Sequence, residues 1–258
     1  MKRVHTIIVF ALLLMAGLSA CKHDNDDNIT PPAAADKLVE YDNGESYIRF
    51  QIGSDKLVQK AFVKLDENAA SPDEYAINYT PDKKIASIVN GAQKIEAVYE
   101  NGKLKRADMF QGTNKIGQTD YEFNRDHIKK MTISFGLTVL RPMLRHEFDW
   151  VNGNLWHITT YEDPSMAGQL VKTETASLEY DEKPNPLREY NDLLYLFWTT
   201  ASKNNIVLEH HYDVQNSVIG RYQYTYTYHS NGKPQKGNLT TGLLGQQQTT
   251  RPVKFTYQ

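Results

Sequence analysis

The sequence predicts an all-β fold, an antiparallel meander of hairpin repeats that forms a strongly curved sheet or barrel, with one short helical insertion near residues 186–199. Three observations lead to this prediction. The 258 residues include 16 tyrosines and 9 phenylalanines, and aromatic residues favour strands. An aromatic residue recurs before a turn, with an aliphatic residue after it. Apolar residues alternate with polar ones before these turns, which is the period of a strand.

The aromatic–turn–aliphatic pattern defines the repeat. Clear copies pair Tyr99 with Leu104, Phe123 with Ile128 and Trp150 with Leu155, and looser copies with longer turns pair Tyr79 with Ile85 and Tyr180 with Leu187. In the first clear copy, Asn101-Gly102 suits the positive φ angles of a two-residue hairpin turn. This turn sets Tyr99 opposite Leu104, so each copy is predicted to be one β-hairpin.

A second spacing concerns the residues that follow each turn. An apolar residue comes three positions after the aliphatic one: Ile88 after Ile85, Ala107 after Leu104, Met131 after Ile128 and Ile158 after Leu155. An odd spacing places two side chains on opposite faces of a strand, unless a β-bulge intervenes. We therefore expect apolar side chains on both faces, which fits a curved or closed sheet better than a flat one.

One segment interrupts the repeat. Asn185-Pro186 is a favourable pair for the N-cap and first position of a helix. Apolar residues then follow at helical spacing: Leu187, Tyr190, Leu194 and Phe197. The pattern predicts a short helix or compact loop that ends near Thr199 and is buried against the inside or one end of the sheet.

The N-terminus resembles a bacterial lipoprotein signal peptide. Lys2 and Arg3 precede an apolar run at 7–14 that is too short to span a bilayer comfortably. The segment 18–21, Leu-Ser-Ala-Cys, resembles the lipobox, whose cysteine is acylated. Cys21 is the single cysteine of the chain, so the mature domain is expected to lack a disulfide.

Three regions follow from this interpretation. Residues 1–20 form the signal peptide, 21–36 contain the acylated Cys21 and a flexible acidic tether, and 37–258 form a single β-repeat domain. The acidic cluster at 24–28 resembles the surface-export signal of Bacteroidetes-type lipoproteins. That resemblance implies an outer-membrane protein displayed on the cell surface, with the membrane as its partner through the lipid on Cys21.

The repeat also resembles known families. Its Tyr-Asp openings are similar to those of YD-repeat proteins. The segments 180–186, 202–206 and 226–234 resemble a Bacteroidetes lipoprotein family of unknown function that is described as having a porin-like all-β fold. The likeness covers most of residues 75–258. It implies an antiparallel barrel or barrel-like sheet and supplies no catalytic residues.

No pattern in the sequence predicts an enzyme, a cofactor or a metal site. The segment 146–150, His-Glu-x-x-Trp, has tryptophan where a zinc-protease helix needs its second histidine, and it lies on a predicted strand. His210, His211 and Asp213 are interpreted as partly exposed strand residues, because a metal site would need a further ligand from elsewhere. A carboxylate pair for glycoside hydrolysis, drawn from distant strands, stays open.

The charge balance argues against nucleic acid as a partner. The formal net charge is −2, and removal of residues 1–20 leaves 27 basic against 31 acidic residues, a net charge of −4. Nucleic-acid-binding domains instead carry a concentrated basic surface.

The function predicted from these features is a non-catalytic binding module for a glycan or another envelope ligand. Exposed aromatic side chains are the candidate ligand contacts: Trp156, Tyr222, Tyr224, Tyr226 and Tyr228. The last four alternate along one strand and are called the tyrosine ladder, for which ordinary cross-strand packing is the favoured alternative. Trp156 is expected opposite Asp149, facing away from Trp150. A structural or assembly role in the outer envelope is the second hypothesis, and a hydrolase with an unrecognised site is the third.

The substitution Cys21→Ser tests the proposed anchor. Without the thiol the chain has no acylation site, so the protein should move from the membrane fraction to the soluble fraction. Immunoblots of fractions washed with high salt and carbonate measure this change, with wild type as the control. A mutant that stays with the washed membranes would contradict the lipoprotein interpretation.

Overall fold

A computed structural model describes residues 37–43, 47–64 and 71–258 of this protein. The predicted signal peptide, Cys21 and the tether lie outside the described residues. Within them the chain forms sixteen strands, which are β1 (Leu38–Asp42), β2 (Tyr47–Ile52), β3 (Val58–Lys64), β4 (Asp73–Tyr79), β5 (Ile85–Asn90), β6 (Gln93–Glu100), β7 (Lys103–Gln111), β8 (Asn114–Asn124), β9 (His127–Phe135), β10 (Arg141–Val151), β11 (Asn154–Glu162), β12 (Val171–Pro184), β13 (Asn204–Tyr212), β14 (Val218–Tyr228), β15 (Pro234–Leu243) and β16 (Thr249–Tyr257).

The strands form a closed antiparallel barrel, which confirms the predicted fold class. Each strand pairs with its neighbours in sequence, and β1 pairs with β16 to close the sheet. One end of the barrel, called the terminal end, holds Lys37, Gln258 and the turns that follow the even-numbered strands. The opposite end is called the loop end. At the terminal end Lys37 and Gln258 exchange two backbone hydrogen bonds.

A β-bulge beside each turn at the terminal end explains the odd spacing of apolar residues. In the β6–β7 hairpin, Tyr99 lies opposite Leu104 as predicted, but Val98 lies opposite Arg106, so Lys105 is an extra residue. The bulge returns Ala107 to the same face as Leu104, and both are buried. The expectation that these pairs lie on opposite faces is therefore wrong, and both side chains point into the barrel.

The inner and outer faces of the barrel differ in polarity. The inner face carries the apolar core, including Leu104, Met131 and Leu239. The outer face carries ion pairs between charged side chains, which are Lys60 with Glu74, Lys94 with Glu96, Lys130 with Glu122 and Arg145 with Glu147. Among the described residues, no helix is long and apolar enough to cross a membrane.

The predicted insertion forms a 3-10 turn at Pro186–Tyr190 and a short helix, α1, at Asn191–Leu196. Asn185 caps the turn as predicted, since its side chain accepts a hydrogen bond from the Leu187 amide at 3.0 Å. Because the insertion separates β12 from β13, Tyr180 lies opposite Ile206, and its predicted pairing with Leu187 is wrong.

The insertion packs inside the barrel. Its aromatic residues contact rings on β2, β4, β8 and β9, in the pairs Tyr190 with Phe50, Phe197 with Tyr75, Tyr195 with Tyr121 and Phe123, and Trp198 with Phe135. The Tyr121 hydroxyl also donates to the Tyr195 carbonyl at 2.8 Å. These contacts place the insertion against one side of the barrel interior.

Aromatic residues near the ends of the even-numbered strands fasten most hairpins to the one before. Each donates a side-chain hydrogen bond to the carbonyl of the residue that precedes a bulge on the neighbouring hairpin. The pairs are Tyr79 with Val58, Tyr99 with Ile85, Trp150 with Ile128, Tyr180 with Leu155, Tyr226 with Ile206 and Tyr257 with Pro234. We call these contacts aromatic clasps. They link neighbouring hairpins around the terminal end of the barrel.

Two strands, β2 and β8, carry no side-chain hydrogen-bond donor at the clasp position. Phe123 occupies the clasp position on β8 and has no hydroxyl to donate. On β2 the corresponding residue is Ile52, and there Tyr190 of the insertion donates instead to the Leu38 carbonyl at 2.5 Å. The insertion therefore completes the clasp where the strand itself offers no donor.

Tyr99→Phe tests the clasp, because it removes one hydroxyl and leaves the Ile85 carbonyl without this donor. We expect the free energy of unfolding to fall by about 1 kcal/mol. The matched control is Tyr161→Phe, whose hydroxyl meets Glu147 on the outer face at 3.3 Å and should change stability by less than about 0.5 kcal/mol. Urea denaturation measures both, and equal losses in the two variants would contradict the clasp.

Candidate ligand-binding sites

The β10–β11 hairpin presents a tryptophan on the outside of the barrel. Trp150 lies opposite Leu155 and Asp149 lies opposite His157, so Trp156 is the extra residue of the bulge. The predicted pairing of Trp156 with Asp149 is therefore wrong by one residue. The prediction that Trp156 faces away from Trp150 agrees with the structure, since Trp150 packs against the core and Trp156 is 51% exposed.

Trp156 borders a groove of about 630 Å³ at the terminal end of the barrel. The residues that line it are Asn124, Arg125, His127, Lys129, Phe148, Asp149, Trp150 and Trp156. His127 stacks on Trp150 with ring centroids 4.6 Å apart and planes 12° apart. The Trp150 indole nitrogen donates to the Ile128 carbonyl at 2.6 Å, which fixes the indole beneath the stacked imidazole.

Polar side chains surround the exposed indole. Beside it, the His157 Nδ1 lies 3.3 Å from the Asp149 Oδ2. Arg125 and Lys129 form no ion pair with any described residue. The groove thus combines one exposed aromatic face with several hydrogen-bonding groups.

The tyrosine ladder does not form an exposed platform. Tyr222, Tyr224, Tyr226 and Tyr228 share the inner face of β14, and Tyr224 is only 4% exposed. Tyr226 and Tyr228 use their hydroxyls inside the protein, on the Ile206 carbonyl and the Asp181 carboxylate. The expectation of exposure is wrong for Tyr224, and the other three are partly buried, because the barrel curves so that their face becomes its interior. Their role as ligand contacts stays a prediction.

A buried cluster of titratable groups lies on β12 and β13. His211 contacts the Glu174 carboxylate through Nδ1, and its Nε2 lies 2.5 Å from the Glu209 carboxylate. His211 is 5% exposed and Glu209 is 3% exposed. Burial disfavours the charged imidazole, but the hydrogen bonds to Glu174 and Glu209 outweigh it and raise the pKa of His211 to about 9. The cluster is therefore an imidazolium held between two carboxylates.

The sequence identified His211 but missed its partners. The prediction that His211 is partly exposed is wrong, because its face of β13 points into the barrel. Glu209 lies two positions earlier on the same strand, so the period of a strand already places it on the same face. Glu174 comes from another strand and gives no local signal. Asp213 instead caps the β13–β14 turn through the Gln215 and Ser217 amides.

His146 is a second buried histidine, and its pKa shifts in the direction opposite to that of His211. It lies on the inner face of β10, where Nδ1 is 3.1 Å from the Thr160 hydroxyl. Burial lowers the pKa of His146 to about 4, so the ring is neutral at physiological pH. Its position on a strand agrees with the prediction that residues 146–150 do not form a zinc-protease helix. Within the described ranges, no three His, Cys, Asp or Glu side chains are placed to hold a metal ion.

Comparisons with known proteins agree on the fold. A porin-like protein from Bacteroides uniformis superposes with a TM-score of 0.57 at 14% identity, covering 86% of this chain and 96% of that chain. A porin-like protein from Bacteroides vulgatus gives a TM-score of 0.54 at 12% identity, with 87% and 98% covered. No protein-family model matches, and no curated protein matches significantly. At these identities the likeness shows the fold alone.

The two histidines predict a stability maximum near pH 6.5. Because the folded-state pKa of His211 is raised to about 9, its stabilisation is complete below pH 6.5 and is lost between pH 6.5 and 9. Because the pKa of His146 is lowered to about 4, stability falls as the pH drops from 6.5 to 4. The free energy of unfolding that is lost between pH 6.5 and 9 is at most about 3 kcal/mol.

Urea denaturation across this pH range measures both effects. His211→Gln should remove the decline between pH 6.5 and 9 and leave the acid decline in place. Wild-type stability that is constant between pH 6.5 and 9 would show that His211 is not held as a cation.

Proposed function

We propose that this protein is a lipid-anchored binding module of the cell surface and that its groove at Trp156 binds a glycan. The observation that carries the proposal is the exposed indole of Trp156 at the edge of a groove with polar walls. The face of an aromatic ring suits the apolar face of a pyranose. The polar side chains of the groove suit its hydroxyl groups.

The position of Trp156 in the repeat supports this proposal. Lys105 and Lys129 occupy the same bulge position in the two preceding hairpins of this type, on β7 and β9. A flexible charged residue therefore satisfies the structural requirement of that position. Burial of the large apolar side chain of Trp156 stabilises the fold little, because half of that side chain remains exposed. A ligand that covers the indole supplies the missing contact.

The outer face of the barrel supports attachment through Cys21 rather than through the strands. Membrane-spanning barrels present an apolar band to lipid, whereas this barrel carries ion pairs on its outer face and apolar side chains inside. The described chain begins at Lys37, at the same end as the Trp156 groove. An anchor at Cys21 would hold the groove close to the envelope surface and its polysaccharides.

Trp156→Ala tests the glycan site in the barrel of residues 37–258. Wild type should bind members of a glycan array with micromolar to millimolar Kd and show a fluorescence change on titration. Trp156→Ala should bind the same glycans at least about tenfold more weakly, because the stacking face is gone.

Leu244→Ala is the matched control, since Leu244 is 73% exposed at the loop end, far from the groove. It should bind as wild type does. If wild type binds no glycan on the array, or if Trp156→Ala binds with unchanged affinity, the proposal fails.

A further inference from the structure

The loop end of the barrel carries most of the exposed apolar side chains. Of the nine large apolar side chains that are exposed among the described residues, seven lie at this end, in four loops or on the first strand residue after a loop. We call them the apolar rim, and they are Leu137, Val139, Met166, Val171, Val214, Val218 and Leu244. The two most exposed are Leu137 at 79% and Leu244 at 73%.

The four loops are neighbours around one side of the barrel mouth. They join β9 to β10, β11 to β12, β13 to β14 and β15 to β16. The Arg141 guanidinium donates to the Met166 carbonyl at 3.2 Å, which links the first two loops. The Leu244 amide donates to the Ile219 carbonyl at 3.0 Å, which links the loop after β15 to β14. The β5–β6 and β7–β8 turns at the same end carry no exposed large apolar side chain among their described residues.

The tips of these loops are uncharged. The only charged residues in the segments 136–140, 163–170, 213–217 and 244–248 are Asp163 and Asp213. Each carboxylate accepts backbone amide hydrogen bonds from its own loop, at 3.0 and 3.2 Å for Asp163 and at 2.9 and 2.8 Å for Asp213. Both carboxylates therefore face the loop backbone, and the tips present apolar and neutral polar side chains to solvent.

Three basic residues lie directly behind the apolar rim. Arg141, Lys172 and Arg221 are exposed near the start of β10, β12 and β14, and none forms an ion pair with a described residue. Glu162, the acidic residue at the nearby end of β11, is engaged in an interaction of its own. Apolar groups backed by free cations suit the interface of a bilayer, where the apolar groups reach the acyl chains and the cations meet anionic headgroups.

A bilayer suits this surface better than a second copy of the chain does. A two-fold contact through the apolar rim would bring the same three cations of both copies together, and like charges disfavour such a contact. The apolar side chains also lie on separate loops, with polar residues such as Thr138 and Gln215 beside them. A rigid partner would need a separate pocket for each tip, whereas fluid lipid accommodates all of them.

We propose that the apolar rim inserts into the interface of a lipid bilayer, with Arg141, Lys172 and Arg221 against its anionic headgroups. This contact goes beyond the proposed function, because neither the acyl group on Cys21 nor the Trp156 groove takes part in it.

The length of chain before the barrel allows this orientation together with the predicted lipid anchor. Cys21 lies 16 residues before Lys37, and a chain of that length can reach about 50 Å. The 11 residues of β10 rise about 36 Å. A lipid on Cys21 can therefore enter the same bilayer that the loop end contacts. The Trp156 groove at the terminal end then faces away from this bilayer, toward surrounding polysaccharides.

Vesicle co-sedimentation of the unacylated chain 22–258, which holds every strand of the closed barrel, tests the contact without the lipid anchor. The probes are vesicles of phosphatidylcholine alone and vesicles of phosphatidylcholine and phosphatidylglycerol in equal amounts. Wild type should sediment with both and bind the anionic vesicles severalfold more tightly. If wild type sediments with neither, or binds both equally, the proposal is overturned.

The double variant Leu137→Asp, Leu244→Asp should bind vesicles at least about tenfold more weakly, because two apolar tips become charged. Val151→Asp is the matched control, since Val151 is 52% exposed in the β10–β11 hairpin at the opposite end, and it should bind as wild type does. A cooperative thermal transition checks that each variant is folded. Equal weakening in the control would show that the loop end is not the contact.

Lys172→Gln tests the basic residues, and it should weaken binding to the anionic vesicles severalfold while leaving binding to phosphatidylcholine unchanged. Sedimentation velocity distinguishes a bilayer from a second copy. A wild-type dimer that the double variant converts to a monomer, together with no vesicle binding, would overturn the proposal and assign the apolar rim to an interface between copies.

Discussion

The aromatic clasp is the contact on which the rest of the barrel depends. A β-bulge breaks the regular ladder beside each turn at the terminal end, and at most of these bulges a side chain from the next hairpin donates to the carbonyl of the residue before the bulge. The clasp therefore links hairpins that are already neighbours in sequence. A chain built from such units needs no distant pairing until β16 meets β1. The same bulge adds local twist, which helps a long meander to close.

The sequence predicted the hairpins because their signals are local. Asn101 and Gly102 adopt the expected positive φ angles of 50° and 80°. The apolar spacing of Leu104 and Ala107 also carries information about the fold. It predicts apolar side chains on both faces, whereas the bulge places both residues inside the barrel. The prediction of a strongly curved or closed sheet holds, because the bulges that produce the odd spacing also curve the sheet.

The candidate sites were harder to predict, because they depend on which face of a strand becomes the interior. The alternation of Tyr222, Tyr224, Tyr226 and Tyr228 shows that they share one face of the strand. Only closure of the sheet decides whether that face is exposed to solvent. The pairing of Glu174 with His211 joins residues from two strands whose register is set by loops of irregular length. The sequence placed Trp156 on the face opposite Trp150 because both residues lie within a single short hairpin.

The bulge position accepts different side chains without disturbing the fold. Tyr99, Trp150 and Tyr180 each donate a clasp hydrogen bond and pack against the core, so both contacts constrain these side chains. The extra residue of each bulge points outward and makes no clasp, so Lys105, Lys129 and Trp156 are all compatible with the same backbone. An exposed tryptophan at such a position contributes little to folding. We therefore propose that this tryptophan serves a contact outside the barrel.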